Sequence, residues 1–314
     1  MAETALALAH KAAQLLAERG FENPRLEAEL LLSAVLGLKR LELYTQFDRP
    51  VPAEELEQFR SHVRRRLKHE PLQYIVGDVQ FRDLRLRVDT RALIPRPETE
   101  VLVDVVLEHV RGRDASLLKA LDIGTGTGAI ALALATEGGF GAVVATDVSS
   151  DALALAQENA RLVGASDRVA FRYGDLWNAI GADDRFDVIV SNPPYVDAAD
   201  APTLAPEVRD WEPASALYAE AGGQAVIARL IEGAGAYLRA GGILAMEVGL
   251  GQADAVVARI ASAGTFAPAR VTADLTGRPR VVSAVVTEAE AEGGSGTETG
   301  SKAGNASFQQ GSDV

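Results

Sequence analysis

From residue 3 to about residue 70 the apolar positions recur at helical spacing, with almost no β-branched runs. Leu6, Ala9, Ala13 and Leu16 share one predicted face. Asn23-Pro24 opens a second helix carrying Leu26, Leu30, Leu31 and Val35, and Gly37 closes it. A third long helix is predicted from Pro52, with Leu56, Phe59, Val63 and Leu67 along it. After Pro71 the pattern turns to short strands with tight turns, over 73–77, 79–81 and 84–88. The proline-rich loop Ile94-Pro95-Arg96-Pro97 then leads into a helix from Glu98.

Residues 117–287 alternate strand and helix. Strands are predicted over 117–123, 142–146, 169–173, 186–191 and 242–248, and helices over 129–136, 151–163, 225–238 and 253–263. A closing pair lies around 269–273 and 281–287. Short apolar strands separated by helices imply a parallel sheet covered on both faces. The predicted organisation is a helical domain over 1–71, a β-hairpin linker over 72–90 and an α/β domain over 91–287. The tail 288–314 is rich in Gly, Ser, Thr and Glu and too poor in apolar residues to order itself, so disorder is expected there. There is no internal repeat.

Composition narrows the function. Apolar residues make up 47% of the chain, enough for a sizeable core. The net charge of −13 repels nucleic-acid phosphate at long range, so binding to duplex nucleic acid is not expected. The absence of cysteine excludes disulfides and thiolate metal sites, and no metal is expected. The N-terminus reads as an amphipathic helix rather than a signal peptide, and no apolar stretch approaches the roughly 20 residues that span a bilayer. A soluble cytoplasmic protein is expected, with no membrane partner. The basic segment 60–68 is either a solvated helix face or a docking surface for an acidic partner or RNA.

Asp122-Ile123-Gly124-Thr125-Gly126-Thr127-Gly128 closes a strand and opens a helix. Its glycines permit a tight turn and let backbone approach a ligand. The third glycine comes one position sooner than in the dinucleotide pattern. An acidic Asp122 suits a ligand carrying an ammonium group rather than a phosphate. Asp147 ends the next strand, where a carboxylate can accept from both ribose hydroxyls, while Ser149 is available to cap the following helix. Asp175 ends the third strand and can accept from an adenine amino group, with Leu176 packing on the ring. Three strand ends thus offer amine, ribose and adenine partners, a set that resembles the class I S-adenosylmethionine methyltransferases.

The fourth strand runs into Ser191-Asn192-Pro193-Pro194-Tyr195. Two prolines stiffen the loop and remove two N–H donors, leaving carbonyl oxygens. Such a corner is suited to accept hydrogen bonds from an NH₂ group. Tyr195 adds an aromatic face for a planar amide or base. An amide nitrogen is a poor nucleophile because its lone pair is delocalised. Accepting both its N–H bonds, through the Asn192 side-chain oxygen and the Pro193 carbonyl, orients it and stabilises positive charge arising on nitrogen. No dedicated general base is required. His10, His62, His69 and His109 all lie outside the cofactor segment.

These motifs are similar to those of the release factor glutamine N5-methyltransferases, the HemK/PrmC family. The resemblance runs from the helical N-terminus to about Thr287. It is carried by Glu70-Pro71-Leu72-Gln73-Tyr74-Ile75-Val76-Gly77, by Pro95-Arg96-Pro97-Glu98-Thr99-Glu100, by the glycine loop and by Asn192-Pro193-Pro194-Tyr195. Trp211-Glu212-Pro213, Glu247-Val248-Gly249 with Gln252, and Asp274-Leu275-Thr276-Gly277 with Arg278 and Arg280 follow in order. The resemblance implies a class I methyltransferase (Rossmann-like) α/β fold, a doubly wound and mostly parallel sheet with an antiparallel last strand, behind a small all-α domain and a hairpin linker. It implies S-adenosyl-L-methionine as donor, S-adenosyl-L-homocysteine as product, and the Gly-Gly-Gln glutamine of class 1 peptide chain release factors as acceptor. Cofactor contacts would fall on Gly124, Thr125, Gly126, Thr127, Gly128, Asp147, Asp175, Leu176 and Asn192. Catalysis would fall on Asn192, Pro193 and Tyr195, and substrate binding on these with Pro194, Arg96, Glu98 and Glu100. The chain also contains its own Gly222-Gly223-Gln224, read as a helix start with flexible glycines, self-methylation being the remote alternative. Rival readings are a ribosomal-protein glutamine methyltransferase, an adenine N6-methyltransferase and a non-catalytic nucleoside-binding protein.

Overall fold

The computed structural model describes residues 4–46 and 48–287. The predicted tail at 288–314 lies outside the described residues.

The N-terminal helices are α1 (Ala5–Glu18), α2 (Pro24–Leu36), α3 (Arg40–Thr45) and α4 (Ala53–Arg66). Pro24 occupies the first turn of α2, where its missing N–H costs nothing, and Gly37 ends the helix at φ 65°. The buried face of α1 is Ala5, Leu8, Ala9, Ala12 and Leu16, so the predicted stripe through Leu6 and Ala13 is rotated by part of a turn. Six-residue α3 is too short to show a period and was not anticipated. It is held by burial of Leu43 and by Arg40 and Tyr44, which both donate to buried Glu29 at 2.7 and 2.5 Å. The basic segment is partly neutralised at home: Arg64 pairs with Glu57, and Arg65 grips Glu70 with two hydrogen bonds.

The predicted strand at 73–77 is instead a short helix, α5 (Leu72–Val76), closed by Gly77 at φ 91°. Its Val and Ile suggest a strand, but Ile75 is drawn into the helical core while Tyr74 packs with Val88 and Ile94. Tertiary burial overrides a weak local preference. The hairpin follows as predicted, with β1 (Asp78–Phe81) antiparallel to β2 (Leu84–Arg87).

Beyond α6 (Pro97–His109) come β3 (Lys119–Ile123), α7 (Ala129–Thr136), β4 (Ala142–Asp147), α8 (Ser150–Leu162), β5 (Val169–Tyr173) and β6 (Phe186–Ser191). After short helical turns there follow α9 (Ala225–Tyr237), β7 (Leu238–Glu247), α10 (Ala253–Ala263), β8 (Arg270–Ala273) and β9 (Pro279–Val285). The seven strands lie in the order β5-β4-β3-β6-β7-β9-β8. β5 through β7 run parallel, and the last strand of the chain, β9, is antiparallel to both its neighbours. Every residue of β6 is buried, as a strand covered on both faces requires. One apolar cluster, with α6 and α7, fills one side of the sheet, and a second, with α9 and α10, fills the other. No described helix is long and apolar enough to cross a membrane.

Arg66 ties the helical domain to the α/β domain. Its buried guanidinium donates to Glu27 at 2.6 and 3.2 Å, to the Glu70 carbonyl at 3.0 Å and to Glu207 at 3.4 Å, and lies 4.3 Å from the Phe21 ring centre. Removing one member of a buried ion pair strands the others. Arg66→Met is therefore expected to lower unfolding free energy by about 3 kcal/mol in urea titrations, and an unchanged midpoint would refute this tie.

Candidate active site

The carboxyl ends of β3, β4 and β6 open onto a cavity of about 250 Å³. Asp122, at the end of β3, is wholly buried. Its Oδ2 accepts from the Thr125 hydroxyl at 2.7 Å and the Ala131 N–H at 3.1 Å. Burial pushes this carboxyl up to about 7, and the nearby Asp147 adds to the rise. Asp122 does not line the cavity, so the expectation that it meets a ligand ammonium gives way to a structural role: it fixes the turn and the first turn of α7. Gly124, Thr125, Gly126 and Thr127 line the cavity, whereas Gly128 packs inward. A Cβ on Gly128 would sit 3.2 Å from Ala156 and Leu132, on backbone at φ 85°. A Cβ on Gly124 would meet nothing within 4 Å, so bare backbone faces open space there.

Asp147 lines the cavity, with Oδ2 accepting from Gly126 N–H and Oδ1 from Ser149 N–H, both at 2.9 Å. Burial raises its carboxyl above the ordinary value, against the pull of these donors. Ser149 caps α8 through Ala152 N–H, which leaves Asp147 to the cavity. Asp175 and Leu176 also line it, although Asp175 is engaged by Arg229 at 2.6 Å. Leu176 sits at φ 48°, an expensive conformation for a leucine.

Asn192, Pro193 and Pro194 form the wall opposite, with Thr99 beside them. The Asn192 Nδ2 donates to Thr99 Oγ1 at 3.1 Å, and the Thr99 hydroxyl donates to Glu247 at 2.7 Å. Tyr195 stands behind this wall rather than on it. Its hydroxyl donates to Glu247 at 3.2 Å, and burial, then the Glu247 charge, raises its pKa. Burial likewise raises Glu247, against the hydrogen bond from Thr99 and the charge of Arg280. Arg96, Glu98 and Glu100 are not brought to the cavity wall. Arg96 pairs with buried Glu212 at 2.5 Å, and Glu100 accepts from Arg82 N–H at 3.0 Å. From that motif it is Thr99 that lines the cavity, with the distant Glu247 hydrogen-bonded behind it. Reading residue by residue missed both, although each sits inside a motif quoted above.

Gly223 is also built in. A Cβ there would lie 2.0 Å from the Tyr195 carbonyl oxygen, and Gln252 Nε2 donates to that oxygen and to the Gly222 carbonyl at 3.0 and 3.2 Å. The internal Gly-Gly-Gln is thus a packed turn leading into α9.

A mostly parallel sheet with one reversed strand, and a glycine turn and acidic strand ends around one cavity, defines an S-adenosylmethionine-dependent methyltransferase of class I. Residues 7–77 match the PrmC N-terminal domain, and residues 98–207 match the methyltransferase small domain. The chain is 45% identical to the release factor glutamine methyltransferase of Geobacter sulfurreducens, over 85% of this chain and 91% of that protein. It is 44% identical to that of Chlorobaculum tepidum, over 74% of this chain and 81% of that protein. The chain belongs to the release factor glutamine methyltransferase family. Among solved structures, the catalytic domain of human METTL16 with a MAT2A 3′UTR hairpin superposes with TM-score 0.54 at 18% identity, over 70% of this chain and 83% of that one, a likeness of fold.

An acid raised in the folded state favours folding in its protonated form. Its contribution is complete below the unfolded value of 3.8 and is lost as pH rises through about 7. Asp122→Asn is therefore expected to gain stability over the parent between about pH 4 and pH 8, by up to about 4 kcal/mol. Parallel unfolding curves across that range would contradict it.

Proposed function

We propose that this enzyme transfers a methyl group from S-adenosyl-L-methionine to the side-chain amide nitrogen, N5, of the glutamine in the Gly-Gly-Gln motif of class 1 release factors. The relatives are named release factor glutamine methyltransferases, which supports a release-factor glutamine as acceptor, and the identity to them spans both domains. The observation that carries the reading is the polarity of the Asn192 amide. Its NH₂ end donates to Thr99 Oγ1, which supports a reading in which its oxygen accepts from an incoming N–H.

The cofactor would be held by the glycine turn from Gly124 to Thr127, by Asp147 at the ribose and by Asp175 and Leu176 at the adenine. The bare turn and the carboxylate at the cavity wall fit such a nucleoside. When bound, it supplies an electrophilic sulfonium methyl group. Asn192 Oδ1 and the Pro193 carbonyl would accept the two amide N–H bonds of the glutamine. This fixes the nitrogen in line with the methyl carbon and stabilises the positive charge that grows on it. As the N–C bond forms, the methyl–sulfur bond would break with its electron pair staying on sulfur, S-adenosyl-L-homocysteine would leave, and one of those two amide protons would pass to water, giving the neutral N-methyl amide. Pro193 and Pro194 contribute by offering no N–H that would compete.

Incubation with labelled cofactor should label a release factor but not its Gly-Gly-Gln glutamine→Ala version; equal labelling of both removes the proposed acceptor. Asn192→Ala should lower kcat by about 100-fold, a loss of about 3 kcal/mol of transition-state stabilisation, with a far smaller change in cofactor Kd by calorimetry.

A further inference from the structure

Glu247 is buried to 1% exposure at the end of β7 and has no part in the methyl transfer described above. It does not line the cavity, yet it is joined to the wall by a directed chain of hydrogen bonds: Asn192 Nδ2 to Thr99 Oγ1, and Thr99 Oγ1 to Glu247 Oε2. We infer that Glu247, acting through Thr99, is a positioning residue that sets which end of the Asn192 amide faces the substrate. The inference rests on the proposed amide acceptor and adds the device that orients its cradle.

The reasoning is one of donor and acceptor count. An ionised carboxylate only accepts, and a threonine hydroxyl has one proton. That proton is committed to Glu247 at 2.7 Å, so toward Asn192 the Thr99 oxygen acts as acceptor. Asn192 satisfies it only with its NH₂ end. Flipped, the amide would set its oxygen against the Thr99 oxygen and its NH₂ against the NH₂ of an incoming glutamine, two repulsions at once. A donor or acceptor left unmade in a buried site is costly, so the chain selects one of two otherwise near-isosteric rotamers.

The groups facing Glu247 come from three elements. Thr99 and Glu98 lie on α6, Tyr195 follows β6, and Arg280 lies on β9. Arg280 and the two hydroxyl donors favour the carboxylate, while burial and Glu98 oppose it. A proton on Glu247 would let it donate to Thr99 and undo the fixed polarity, so the orienting function belongs to the alkaline side of its titration.

Thr99→Val keeps the shape and removes the relay. With a release factor as substrate, it should lower kcat on the order of 100-fold while KM and cofactor Kd stay within about threefold, and Thr99→Ser should recover most of the rate. The parent is expected to show an acid limb in its kcat–pH profile, and Glu247→Gln should remove it. An undiminished kcat in Thr99→Val, or a loss matched by weaker cofactor binding and not rescued by serine, overturns the inference. A second readout needs no turnover. In ¹⁵N-labelled full-length protein the Asn192 side-chain NH₂ signals, identified by their absence in Asn192→Asp, should move with pH in the parent and stop doing so in both Thr99→Val and Glu247→Gln. Signals indifferent to pH in the parent would equally overturn it. Should the release factor go unmethylated by the parent, the acceptor assignment falls and these signals still decide the relay.

Discussion

A parallel sheet covered on both faces leaves few places where a polar side chain can meet solvent without disrupting the core. Here the available places are the strand tips, and the sequence spends its polar residues there. β3 carries Asp122 one residue before its end, β4 ends in Asp147, β6 ends in Ser191 with Asn192 next, and β7 ends in Glu247. All four strands run the same way, so their tips gather at one edge. Chemistry at this edge is a consequence of burial everywhere else. The tips then divide the work. Asp122 and Glu247 are withdrawn from the cavity and organise backbone or neighbours, whereas Asp147 and Asn192 stand on its wall.

The helical domain is coupled to that edge by few but strong contacts. Tyr74, on α5, donates to the carbonyl of Ala92 at 2.7 Å, and Ala92 lines the cavity. Arg66 reaches Glu207, in the segment between β6 and α9. Arg96 and Glu212 join the proline-rich loop to the same segment. The two lips of the cavity, around 91–96 and 212–218, are thus braced from outside it. Surface ion pairs are worth little on average, but Arg66, Glu27 and Glu212 are largely withdrawn from water, where a paired charge is costly to unpair.

Much of this was legible in the sequence, for identifiable reasons. The strand and helix alternation from β3 onward follows directly from apolar runs punctuated by glycine, and α7 and α10 fall where the period places them. Local rules failed where contacts are distant or elements are short. α3 and α5 are held by partners elsewhere in the chain. The relay from Asn192 to Thr99 to Glu247 spans sequence separations of 93 and 148 residues, which no local pattern encodes. In the sequence Tyr195 reads as an aromatic face for a planar amide or base, yet in the structure it stands behind the cavity wall with its hydroxyl on the buried carboxylate of Glu247. Arg96 and Glu100 share a motif with Thr99, but the partners they meet are Glu212 and Arg82, away from the cavity wall.

The turn at Gly222 and Gly223 has a consequence for anyone searching genomes by tripeptide. A Gly-Gly-Gln string is a poor marker of a methyl acceptor unless its backbone can be extended away from its own fold. Here the second glycine is wedged against a carbonyl and the glutamine is the N-cap residue of α9. Scans for acceptor proteins would score this enzyme as its own substrate, and accessibility, not spelling, is what separates the decoy from the target.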